Sequence, residues 1–327
     1  MPQHEISGDP VTSRRGIFWV GVERAETPFG TVPRGQMFVQ WESPLDVRHP
    51  YPLVLIHGGG GQGTDYLGTP DGRPGWATHL VAEGYTVYVV DRPGHGRSPL
   101  HPDVLGAMGA PFSWELAQTL FTSPTEQWPG SGELDDPALA QFVAGTGPML
   151  QDFAAAHALE QSSGVALLER IGPAVLITHS QGGAAGWLMA DARPDLVKGI
   201  VAIEPVGPPF AVNDQMGFDL EWGLTASPMT FDPPPGEPAE LQDDTPRTLT
   251  NLAGIPIAMV STKLSPFAPG SAAAVEFLQK VGCDVDHVEL HKHGVTGNGH
   301  MIMLERNSRE TLGVILDWLD KRIPPGS

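Results

Sequence analysis

Short apolar runs, each ending in a polar or glycine-rich turn, recur along most of the chain and constrain its fold more than any other feature. Residues 53–56 (LVLI) end at His57-Gly58, residues 86–90 (TVYVV) end at Asp91, and residues 174–178 (AVLIT) run into Ser180. Residues 197–203 (VKGIVAI) end at Glu204, residues 255–260 (IPIAMV) end at Ser261, and residues 285–290 (VDHVEL) form the last run. Continuous apolar runs of this length suit strands buried on both faces of a parallel sheet. Helical stretches lie between them, at 76–83, 181–190, 272–281 and 308–321. The alternation predicts an α/β fold with a doubly wound, mostly parallel sheet. Residues 16–23 (GIFWVGVE) and 36–41 (QMFVQW) alternate in character across a Pro/Gly-rich turn, so the first strands are predicted to be an antiparallel pair. Two segments, about 100–161 and 207–252, are too long for simple connectors. The strand pattern resumes after each, so they are expected to be cap or pocket-wall insertions in one domain spanning 1–327.

Composition narrows the function. Hydrophobic residues make up 40% of the 327 and charged residues 17%, enough for a sizeable core and unlike a disordered chain. A net charge of -19 repels phosphate backbones and anionic membranes, which argues against a nucleic-acid or membrane partner. Cys283 is the single cysteine, so an intramolecular disulfide and a cysteine-based metal site are both excluded. Residues 1–16 are polar, with no apolar stretch like that of a secretory signal, and no run of about 18 apolar residues occurs anywhere. The expected location is the cytoplasm.

In such sheets ligands bind beyond the carboxyl ends of the strands, so the residues that follow the strands carry the chemistry. Thr178-His179-Ser180-Gln181-Gly182 lies between an apolar strand and a helix of small residues. It resembles the nucleophile elbow G-x-S-x-G of α/β-hydrolases, in which a strained strand-to-helix turn pushes a serine hydroxyl into the site. Thr178 departs from the pattern by standing where the first glycine is usual. The structural alternative, a Gly-rich turn with a helix-capping serine, loses ground to the context. His57-Gly58-Gly59-Gly60-Gly61 is similar to the H-G-rich loop that supplies an oxyanion donor in lipases and esterases. A phosphate-cradling loop would need a Lys-Ser/Thr end, and this run continues Gln62-Gly63-Thr64. By position, the N–H groups of Gly59 and Gln181 form the expected oxyanion hole. The stretch from Asp91 to Ser98 (DRPGHGRS) looks like the superfamily's D-x-x-G-x-G-x-S turn, with Asp91 as a scaffold carboxylate.

The family order of serine, acid, histidine places the base after the last strand. His300, in Gly297-Asn298-Gly299-His300, fits, and a neutral imidazole suits proton transfer from a serine. His291 and His293 lie earlier, at the strand end, and His179 is expected to pack in the elbow. The usual acid position, after residues 255–260, reads Ser261-Thr262-Lys263 and holds no carboxylate. The preceding strand ends in Ile203-Glu204-Pro205. This alternative acid position occurs in a branch of bacterial esterases that the chain resembles across most of its length. The resemblance implies Glu204 as the acid, with Asp284 and Asp286 as alternatives at the far edge of the sheet.

The family therefore implies a carboxylic ester hydrolase with a Ser180–His300–Glu204 triad and an acyl-enzyme intermediate. No metal or organic cofactor is expected, and the partner is a small-molecule ester. A lactonase, thioesterase or acyltransferase would use the same residues, and a non-catalytic ligand receptor on this fold is the rival of another class. Ser180 argues against dehalogenases and epoxide hydrolases, whose nucleophile is an aspartate. A Rossmann cofactor enzyme is a weaker rival, because residues 58–63 fit G-x-G-x-x-G only loosely. A lipase would usually be secreted. Trp114, Trp128 and Trp222 are the expected substrate-binding residues, among cap candidates that include Phe112, Phe121, Met216, Phe218 and Met229. They favour small to medium hydrophobic or aromatic esters. The resembled esterases are often dimeric, which leaves a homodimer open.

Overall fold

The computed structural model describes residues 11–213 and 218–324. Twelve strands occur among them: β1 (Ser13–Val20), β2 (Glu23–Thr27), β3 (Gly30–Arg34), β4 (Met37–Pro44), β5 (Leu53–Ile56), β6 (Val87–Asp91), β7 (Ala174–His179), β8 (Val197–Ile203), β9 (Val212–Asn213), β10 (Phe218–Asp219), β11 (Ile257–Ser261) and β12 (Val285–Glu289). Eight of them form one sheet in the order β1-β4-β6-β5-β7-β8-β11-β12. The β1–β4 and β4–β6 pairs are antiparallel, and every pair from β6 to β12 is parallel. The expected antiparallel start is therefore present. The Pro/Gly-rich turn between its two strands is itself a hairpin, β2 against β3.

The central strands are mostly apolar because both faces are covered. On one face Leu53, Leu55, Val175, Ile177, Val201 and Val260 share a core with Trp76 and Leu80 of α2 (Trp76–Ala82) and Leu312 and Ile315 of α9 (Ser308–Arg322). On the other, Val54, Ile56, Leu176, Ile200 and Met259 pack with Leu167 of α6 (Phe153–Ile171), Trp187 of α7 (Gly182–Ala192) and Leu278 of α8 (Ala268–Lys280). Alternate residues of one strand serve opposite cores, which is the period-two side-chain geometry of β structure.

The remaining helices are short: α1 (Thr64–Leu67), α3 (Pro102–Leu105), α4 (Trp114–Ala117) and α5 (Pro137–Ala144). The last three build the wall expected over 100–161. The boundary differs from expectation. Residues from Phe153 onward belong to α6, which spans 19 residues and lies against the sheet rather than in the wall. The Asp152 side chain caps its start by accepting from the Ala155 N–H at 2.9 Å. The small residues and internal Gly164 of α6 blur the 3.6-residue periodicity that would have marked it. Asp136 caps α5 in the same way, with Pro137 in the first turn. The α4 helix runs on into one wider turn, Gln118–Thr122, closed by Ser123 N–H donating to the Gln118 carbonyl at 2.9 Å. Such i→i+5 turns concentrate at functional sites.

Candidate active site

Sheet register sets the site. His179 pairs with Ile203 and Ile203 pairs with Val260, so Ser180, Glu204 and Ser261 stand at one level at the carboxyl ends of their strands. Ser180 and Glu204 both adopt positive φ, at 51° and 41°. For residues with a Cβ this conformation costs about 1–3 kcal/mol and persists only where surroundings impose it. Here the main chain does so. Ser180 N–H donates to the Ile203 carbonyl at 2.9 Å, Val206 N–H to the Ser180 carbonyl at 3.1 Å, and Glu204 N–H to the Val260 carbonyl at 3.0 Å.

The turn at Ser180 works because its neighbours are small. A Cβ on Gly182 would stand 2.4 Å from the His57 carbonyl oxygen, and one on Gly186 would stand 2.8 Å from Thr178 Cγ2. Gly186 thus makes room for the threonine that replaces the usual first glycine of the motif.

His300 arrives from the loop before α9. Its Nδ1–H donates to Glu204 Oε2 at 2.7 Å, and both side chains are almost wholly buried. That bond fixes the tautomer and leaves Nε2 as the free, basic nitrogen. Phe121 stacks on the imidazole with centroids 5.9 Å apart, and Phe267 lies at 4.2 Å. The other carboxylate oxygen, Glu204 Oε1, accepts from the Thr262 N–H at 2.9 Å and Thr262 Oγ1–H at 3.0 Å. The strand end where an acid was expected and absent therefore supplies donors to the acid on its neighbour.

Further groups hold this arrangement, and the sequence alone does not single out the roles of Glu305 and Arg92 among them. His179 Nε2–H donates to the His300 carbonyl at 3.1 Å, tying the elbow to the base loop. Burial drives the His179 pKa well below the usual histidine value, so the ring is neutral. Buried Glu305 accepts from Gly299 N–H at 2.8 Å and from the Asn298 amide at 2.6 Å, clamping the residues just before His300. Arg92, buried and ion-paired with Glu160 at 2.5 Å, donates from Nη2 to the Gly58 carbonyl at 2.8 Å. A trans peptide points its N–H opposite its C=O. The grip on the Gly58 carbonyl therefore orients the Gly59 N–H. Asp91 serves as scaffold, as expected: it accepts from the N–H groups of Gly63 and Arg97, each at 2.7 Å, and pairs with the Arg97 guanidinium.

Ser180, Gln181, Gly59 and His300 line one cavity of about 150 Å³. Its apolar wall comes from Phe112, Leu120, Phe121, Phe142, Phe218 and Phe267. All three expected substrate-binding residues are elsewhere. Trp114 is 40% exposed on the outer surface of α4. Trp128 is buried behind the wall, its indole N–H donating to Asp136 at 2.8 Å. Trp222 packs against the core on the far face of the sheet, as does Met229. A tryptophan in an insertion is as well placed to fasten that insertion down as to meet a ligand. Of the other cap candidates, Phe112, Phe121 and Phe218 line the cavity, while Met216 lies outside the described residues. The alternative acids are distant, with Asp284 paired to Arg322 and Asp286 bonded to the Trp318 indole on the edge strand. His291 and His293 sit in the short turn after β12, outside the cavity lining. Among the described residues no cluster of three His, Cys, Asp or Glu stands ready to hold a metal ion.

Residues 51–225 match the family model described as the alpha/beta hydrolase fold. The chain belongs to the α/β-hydrolase family. A curated relative, the probable secreted lipase phiG of a fungus (strain ATCC 74256), is 38% identical over 97% of this chain and 91% of its own length. Among solved structures, a bacterial esterase determined at atomic resolution superposes with a TM-score of 0.70 at 23% identity, covering 99% of this chain and all of the other. A peroxisomal α/β-hydrolase of Saccharomyces cerevisiae gives a TM-score of 0.52 at 12% identity, covering 98% of this chain and 91% of its own. These two likenesses are of fold. The matched segment of this α/β-hydrolase contains Ser180 and Glu204, and His300 lies beyond it.

Proposed function

We propose that the protein is a carboxylic ester hydrolase that works through a Ser180–His300–Glu204 triad. The observation that carries this reading is the buried 2.7 Å bond from His300 Nδ1–H to Glu204 Oε2, beside a serine held at φ 51° in the same cavity. Ser180 Oγ attacks the ester carbonyl carbon as His300 Nε2 takes its proton. The carbonyl oxygen becomes an oxyanion and accepts from the N–H groups of Gly59 and Gln181. His300 then protonates the leaving alcohol, and the acyl group remains on Ser180. Water, deprotonated by His300, attacks the acyl-enzyme and releases the acid. Glu204 holds the Nδ1–H and stabilises the imidazolium formed in each half-reaction. The phenylalanine-rich wall suits small to medium hydrophobic or aromatic esters, and the fungal relative's name, a lipase, supports an ester as the substrate.

The test is hydrolysis of a panel of p-nitrophenyl esters, paired with labelling by a serine-reactive phosphonate. The expected result is cleavage of short or medium acyl esters, labelling at Ser180, and a loss of about 10⁴-fold or more in kcat for Ser180→Ala. A wild type inert to every ester and to the phosphonate would mean an unactivated serine and would favour a ligand-binding role.

A further inference from the structure

One acidic group in the cavity takes no part in this chemistry. Asp65, in the first turn of α1, lines the same cavity as Ser180 and His300. Its Oδ2 lies 2.5 Å from the point where a Cβ on Gly61 would stand, so the carboxylate rests against the glycine loop. The edge of the Phe112 ring lies 2.7 Å from the corresponding point on Gly60. Carboxylate and ring therefore flank successive residues of one loop. From Phe112 the rings continue to Phe121, 5.6 Å away between centroids, and from Phe121 to the His300 imidazole at 5.9 Å.

The charge on Asp65 is not balanced by the protein. Among the described residues no lysine, arginine or histidine pairs with it. The Gln62 N–H donates to it, and the charged group that acts on it is another acid, Asp91. Asp91 has its own cation in Arg97. An uncompensated carboxylate in a cavity walled by aromatic rings is costly, and burial pushes the Asp65 carboxyl up to about 7. A ligand cation would remove that cost, and ring faces attract the same kind of group through their quadrupole. The net charge of -19 also raises the local concentration of cations.

We propose that Asp65, with the rings of Phe112 and Phe121, forms a subsite for an ammonium group, so that the preferred substrate is an ester carrying a positive charge in its acyl or alcohol part. This rests on the esterase reading above. The probe pair is acetylcholine and 3,3-dimethylbutyl acetate, which match in shape and differ in charge. The expected result is a kcat/KM ratio of about 10 in favour of the cation for wild type. The ratio should fall close to 1 in Asp65→Asn and survive in Asp65→Glu. It is insensitive to a general loss of activity in a variant. A wild-type ratio of 1 or below, or a preference that persists in Asp65→Asn, would overturn the proposal while leaving the esterase intact. If neither these esters nor p-nitrophenyl acetate is cleaved, the esterase reading fails and calorimetry with tetramethylammonium decides the subsite alone. Binding to Ser180→Ala that weakens about tenfold on adding Asp65→Asn supports it, and absent or unchanged binding refutes it.

Discussion

The strand ends and the wall above them are built by different means. At the strand ends Ser180 and Glu204 are placed by main-chain hydrogen bonds between neighbouring strands, with Thr262 and Glu305 bonding the groups that surround the histidine. In the wall, Phe112, Phe121 and Phe142 are placed by ring packing, with centroids 5.3 to 5.6 Å apart. Hydrogen bonds are directional and fix a position to tenths of an ångström. Packing tolerates exchange of shape at similar volume. The first region should therefore respond sharply to single changes that leave volume unaltered, and the second mildly.

The sharpest break is expected at Glu204→Gln. The change keeps size and removes the charge, so kcat should fall by roughly 10³- to 10⁴-fold while the melting temperature stays within a few degrees. A loss below tenfold would show that the histidine takes its support elsewhere. Thr262→Val comes next. It removes the hydroxyl donor to Glu204 and keeps the main-chain one, and a fall of about tenfold in kcat with little change in KM is expected. If kcat is unchanged, the hydroxyl serves only its own turn, where it accepts from the Ser265 N–H at 3.2 Å.

Asp65 yields a smaller effect, read in stability and pH. Its folded carboxyl titrates near 7, above the unfolded value of about 4. A raised acid pKa means that the folded state holds the proton more tightly, so stability is lost as pH climbs from about 4 towards 7 and stays low above it. Asp65→Asn lacks this loss. Its melting temperature should exceed that of wild type by about 2–4 °C at pH 8, and the gap should shrink towards pH 4 in ligand-free protein. A gap that does not vary with pH would place the carboxyl in water. The smallest effect tests the wall itself: Trp114→Ala, on an exposed side chain, should change kcat/KM by less than about twofold. A larger change would put that residue back in contact with substrate.

The same contrast explains what could be read from the sequence. Strands are legible because burial on both faces leaves a continuous apolar run, and β8 occupies the residues its run marks. Ser180 is legible because the turn that exposes it demands small neighbours in fixed places. Glu204 is legible through resemblance rather than through composition, since nothing in one chain says which strand end faces the imidazole. Arg92 and Glu305 act on residues brought near by folding or on main-chain atoms, and neither leaves a periodic trace. The tryptophans misled because aromatic content marks a buried interior without saying which interior. Helix α6 escaped because small residues on its surface against α7 erase the apolar stripe.

The paired positive-φ turns at Ser180 and Glu204 have a consequence for how such a protein can diverge. Each turn lends a main-chain partner to the strand beside it, so Ser180 and Glu204 move together or not at all. Their relative placement is written in peptide groups, which every substitution except proline keeps, rather than in side chains. Insertions above the sheet can then lengthen, repack or exchange their aromatic residues over many generations while Ser180 and Glu204 keep their spacing. The wall becomes the variable part of the molecule, and the frame at the strand ends the inherited one.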